Sequence, residues 1–117
     1  MAKEVKQLLP ITIKGEDDKT IELWFTREIV LKMEDEDGVT PDVLADGFSQ
    51  KQMNMSVMLT YYSMLAKQPD ATIDEAKEIL FNVGANKLVE ALAERYQYTY
   101  DTMLEGEGKN AKWTMVR

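Results

Sequence analysis

Leu9-Pro10-Ile11-Thr12-Ile13-Lys14-Gly15-Glu16-Asp17-Asp18-Lys19-Thr20-Ile21-Glu22-Leu23-Trp24-Phe25-Thr26 is the stretch whose reading decides the fold. Apolar and polar residues alternate over 9–14 and again over 20–25, with β-branched and aromatic side chains, which predicts two half-buried strands. The five residues from Gly15 to Lys19 predict a hairpin with a longer loop. Pro10 suits a strand start, because it has no N–H to give to a ladder. One face then carries Ile11, Ile13, Ile21, Leu23 and Phe25, and Trp24 falls on the other beside Thr20 and Glu22. At Thr26 the period changes. A capping hydroxyl is followed by Ile29, Val30 and Met33 at helical spacing.

The chain beyond this point reads as helix. The first helix covers 27–34, and the acidic string Glu34-Asp35-Glu36-Asp37 before Gly38 opposes the macrodipole, so its last turn is expected to fray. Thr40-Pro41-Asp42 opens a short helix over 41–46, with Phe48 as its far limit. A long central helix spans 50–67, with Met55, Met58, Leu59, Tyr62, Leu65 and Ala66 in one stripe, widened by Val57, Tyr61 and Met64. Pro69 ends it. Thr72 and Glu75 form a capping box for a helix over 73–83, closed by Gly84. The last helix, 85–104, carries Leu88, Val89, Leu92, Tyr96, Thr99 and Met103, with Tyr100 beside the stripe. The expected fold is α+β and predominantly α-helical. An N-terminal β-hairpin over 9–25 is followed by four to five packed helices, in a single globular domain over 1–104. Residues 105–117 form a tail. It can stay flexible, add a strand, or anchor through Trp113.

Composition narrows the chemistry. The 117 residues contain no His and no Cys, and 14 basic residues against 21 acidic ones give a net charge of −7. This excludes a Ser-His-Asp triad, a Cys nucleophile, disulfides and a thiolate or imidazole zinc site. The acidic balance argues against nucleic-acid and anionic-membrane binding. Tyrosines that stack on bases need a basic groove, which is lacking. No apolar stretch approaches the ~20 residues of a bilayer span, and residues 1–9 lack the apolar core of a signal peptide. An intracellular protein is expected. Asp17, Asp18 and the 34–37 string do not fit a calcium loop, because placing Gly38 sixth puts Met33 first. Gly106 and Gly108 lack the strand-to-helix context of a phosphate loop. With no base, nucleophile and orienter in view, the expectation is no enzyme, no metal and no cofactor.

The methionines stand out, with Met53, Met55, Met58 and Met64 in or beside one helix. Two readings stay open. Thioethers fill gaps in a core, or they line an adaptable groove for an amphipathic partner. The candidate groove residues are Met55, Met58, Tyr62, Tyr96 and Tyr100, and the candidate exposed anchors are Trp24 and Trp113.

The segment Ile11-Thr12-Ile13-Lys14-Gly15, followed by Thr20 to Phe25 and Thr26 to Asp35, resembles the opening of the small tail assembly chaperones of siphophages and their prophage relatives. The capped helix from Thr72 to Val83, the helix from Leu88 to Leu104 and the ending Lys112-Trp113-Thr114-Met115-Val116 are similar to the later parts of such proteins. The resemblance covers most of the chain by order of elements. It implies a non-enzymatic factor in the bacterial cytoplasm. Such a factor binds the long helical tape measure protein, coats its apolar stripes and leaves as tail tube protein polymerises. Some members also exist in a frameshift-extended form. The competing class is a structural tail or head component of the terminator or connector type, which forms a ring. Acidic DNA mimicry ranks below both, because the carboxylates cluster in loops rather than along one face.

Overall fold

The alternating segments pair as expected. A computed structural model describes residues 8–116, so residues 1–7 at the start of the expected domain, and Arg117, lie outside the described residues. Strand β1 (Ile11–Lys14) pairs antiparallel with β2 (Thr20–Leu23), with Ile11 opposite Leu23 and Ile13 opposite Ile21. Between them Asp17 and Asp18 both adopt left-handed backbone, at φ 58° and 59°. Short Asx side chains tolerate this conformation better than other residues do. Five helices follow: α1 (Arg27–Asp37), α2 (Pro41–Ser49), α3 (Met53–Leu65), α4 (Ile73–Val83) and α5 (Ala85–Glu105). The protein is a predominantly helical α+β fold with an N-terminal hairpin.

Helix α3 is the centre. Its buried residues include Met55, Val57, Leu59, Thr60, Tyr62, Ser63 and Met64, while the stripe of Asn54, Met58, Tyr61 and Leu65 stays partly open to solvent. It packs most extensively on α4, then on α5 and β2. Its buried hydroxyls bond to the helix's own carbonyls, Thr60 to Ser56 at 2.8 Å and Ser63 to Thr60 at 2.6 Å. Polar groups inside the core are thereby satisfied without a partner helix. Gly47 of α2 lies against Met55, where an added Cβ would sit 3.0 Å from the Met55 methyl. A side chain at that position would require the Met55 side chain to give way by a few tenths of an ångström.

The hairpin is fastened at its β2 end. Leu23 and Phe25 are fully buried. The Trp24 N–H donates to the Ser63 carbonyl of α3 at 2.9 Å. The Phe25 carbonyl accepts from the Thr99 hydroxyl of α5 at 2.7 Å. Thr26 then caps α1 by accepting from the Ile29 N–H. Further along β2, the Gln68 side-chain amide accepts from the Glu22 N–H at 3.2 Å and donates to its carbonyl at 2.9 Å. A glutamine thus takes the place of a neighbouring strand and closes the outer edge of β2.

Several helix boundaries differ from the sequence reading. Helix α1 does not fray at Glu34 but runs to Asp37. The Tyr62 hydroxyl donates to the Asp37 and Glu36 carboxylates, and Lys32 pairs with Glu36 at 3.2 Å. Gly38, at φ 64°, lets its own N–H and that of Val39 close on the Glu34 and Met33 carbonyls. Helix α2 extends to Ser49, and α3 starts at Met53 because Lys51 reverses the chain at φ 55°. The capping box at Thr72 and Glu75 forms with both reciprocal bonds. Among the described residues after α5 there is a 3₁₀ turn at Gly108–Asn110, and those that follow it, to Val116, form no strand.

Two substitutions test this packing. Leu59→Ala, at a fully buried position, is expected to lower unfolding free energy by about 2–5 kcal/mol in denaturant melts. A change under about 0.5 kcal/mol would mean that the position is not enclosed. Gln68→Ala is expected to cost about 1–2 kcal/mol by exposing the β2 edge, with early hydrogen exchange at the Glu22 amide.

Candidate protein-binding groove

The residues singled out for binding separate once the chain is folded. Tyr62 and Tyr96 are the two largest fully buried side chains, and Met55 is also buried. They fill the core instead of lining an open groove, which corrects the expectation for these three. The physical reason is that Met55 and Tyr62 lie on sides of α3 that other elements cover, and Tyr96 lies on the side of α5 turned to Phe25. Met58 and Tyr100 are half-buried and pack against the core from α3 and α5. Trp24 is half-buried too, with its ring 6.2 Å from that of Tyr98. It is therefore not an exposed anchor. Trp113 is, at 91% exposure.

The two buried tyrosines have opposite surroundings. The Tyr62 phenol sits under the end of α1 and donates to two carboxylates. Burial first, then those hydrogen bonds and the negative charges, hold it well above its ordinary pKa of 10.0. Tyr96 packs edge-on against Phe25, ring centroids 5.7 Å apart, and borders a dimple of about 140 Å³ between α2 and α5. Among the described residues, its hydroxyl is the buried side-chain group with no hydrogen-bond partner in the protein. Burial, with Tyr100 and Glu34 nearby, pushes it to about 12. Both shifts run away from the range in which a phenolate serves as a base at neutral pH. Among the described residues no group of three or more acidic side chains is arranged to hold a metal ion, and no helix is long and apolar enough to cross a membrane.

The open concave surface lies elsewhere, between the hairpin and α4. It is a groove of about 770 Å³. Its apolar floor is built by Ile13 and Ile21 from the hairpin, Met64 from α3, and Ile79 and Val83 from α4. Glu16, Asp17, Glu75 and Glu78 stand at it with Lys14 and Lys19, an excess of two negative charges. The hairpin is tied down at its β2 end, so its turn projects beside α4 and leaves the space open. Exposed Phe81, on α4, adds apolar surface to the same helix. Sequence reading named neither Ile79 nor Val83 among its binding candidates. The missed signal is their placement among Glu75, Glu78 and Asn82, which marks a helix face whose apolar residues meet solvent. An apolar floor with an acidic surround suits a peptide or helix with apolar side chains and positive charge.

The two tyrosines give a paired prediction. Tyr62→Phe is expected to cost about 1.5–3 kcal/mol, because it removes a hydrogen bond to charged groups, whereas Tyr96→Phe is expected to change stability by less than about 1 kcal/mol. The folded state holds both protons more tightly than the unfolded chain. Their contribution is therefore complete below pH 10 and is lost as pH rises, through about 12 for Tyr96. Alkaline melts of Tyr62→Phe should show a slope shallower by about 1.4 kcal/mol per pH unit than the parent. Equal slopes would contradict the Tyr62 geometry.

Comparison with known protein families, with curated proteins and with solved structures found no match to this chain.

Proposed function

We propose that this chain is a non-enzymatic tail assembly chaperone of a phage or prophage, acting in the bacterial cytoplasm. It binds the tape measure protein during tail morphogenesis and releases it as tail tube protein polymerises. The observation that carries the reading is the groove between the hairpin and α4, with an apolar floor and an acidic surround. A long helical client with apolar stripes needs a partner that covers those stripes and stays dispersed. Exposed apolar residues on α4 supply the first requirement, and a net charge of −7 supplies the second. The order hairpin, junction, helices, which carries the resemblance to the chaperones, is the order of this fold. Nucleic acid and membrane are not partners in this reading, and no cofactor takes part.

The test is co-expression with a phage tape measure protein. The two are expected to co-purify, and the client is expected to be soluble only in the pair. Ile79→Glu, at a half-buried groove position, should abolish co-purification while the far-ultraviolet spectrum stays unchanged. The reading fails if the proteins never co-purify and the tape measure protein is soluble alone.

A further inference from the structure

The groove has a complement within the same chain. The charged residues after Glu107 are Lys109, Lys112 and Arg117, all basic, which leaves 11 basic against 21 acidic residues in the first 107. The tail is therefore a positive segment on a strongly negative body. It also carries the most exposed large apolar residues described, Trp113 at 91%, Met115 at 91% and Val116 at 93%. Three such side chains in four residues, without regular structure among the described residues, leave apolar area in water that a partner surface would cover.

We infer that residues 111–116 of one copy lie in the groove between the hairpin and α4 of a second copy. This rests on the groove being a protein-binding site, not on the identity of the client. In an extended segment Trp113 and Met115 share one side, and they meet the floor at Ile13, Ile21 and Ile79. Lys112 then stands near Glu75 or Glu78. Lengths agree. The four residues from Trp113 to Val116 reach roughly 13 Å when extended, and α4 from Glu75 to Val83 rises roughly 12 Å.

The tail is rooted away from its own groove. Glu107 pairs with Arg27 at the start of α1, 3.6 Å apart, and Arg27 follows the fastened end of β2. The groove is at the other end of the hairpin, beside its turn. A second copy brings its tail without that constraint. Two copies that exchange tails cover both apolar segments, and self-association of this kind depends on concentration. It occupies the site that a client would take, so client binding and self-association compete.

The experiment mixes equal amounts of light and heavy-nitrogen-labelled full-length chain, without client. Zero-length carbodiimide cross-linking and peptide mass spectrometry follow, with sedimentation equilibrium in parallel. Cross-links from Lys112 to Glu75 or Glu78 that join light to heavy peptides are expected. The weight-average mass should rise with concentration. Trp113→Ala should weaken association at least about tenfold. Glu78→Lys should also weaken it, and combining it with Lys112→Glu should restore it. A monomer at every concentration, or cross-links joining only peptides of the same label, overturns the exchange. Co-purification with the tape measure protein is unaffected by that failure. Conversely, a closed hexameric or larger ring with mixed cross-links keeps the exchange and counts against the chaperone reading.

Discussion

Four consecutive residues, Leu23 to Thr26, hold the hairpin to the helices, and each does so by a different contact. Leu23 and Phe25 bury their side chains completely. Trp24 gives its N–H to a carbonyl of α3, Phe25 gives its carbonyl to a hydroxyl of α5, and Thr26 starts α1. A two-stranded hairpin is marginal in water by itself. Here it gains support from three helices at one end, and Gln68 closes its outer edge. The other end is tied by neither set of contacts. The fastened end defines the core, and the projecting turn defines the groove beside α4.

Much of this was legible in the residues. Alternation on either side of the acidic turn gave the strands and their buried face, and the change of period at Thr26 gave the junction. Thr40-Pro41 and Thr72 with Glu75 marked helix starts by chemistry local to a few residues, and local chemistry survives folding. Contacts between residues distant in sequence were not legible. Nothing in the string Glu34 to Asp37 announces that Tyr62, 25 residues on from Asp37, will hold it in a helix. Nothing near Gln68 announces that it will pair with Glu22. Local rules predicted a frayed end, and a long-range hydrogen bond overrode them.

The binding residues show the same limit. Met55, Tyr62 and Tyr96 were readable as an apolar stripe, but a period says which residues share a face and not what covers that face. On α3 and α5 the sides that carry these three are covered, so the Met55 thioether and the two phenol rings serve the core. On α4 one side is not, and the apolar pair Ile79 and Val83 stays accessible in a ring of charge. The lack of His and Cys removes imidazole and thiol chemistry from the surface.

The most direct test of that view is hydrogen–deuterium exchange of the full chain, alone and in complex with the tape measure protein. The account predicts new protection over residues 13–21 and 75–83, the two walls of the groove, with little change along α1 and α2. Protection confined to α1 and α2, with both groove walls exchanging as in the free protein, would contradict it.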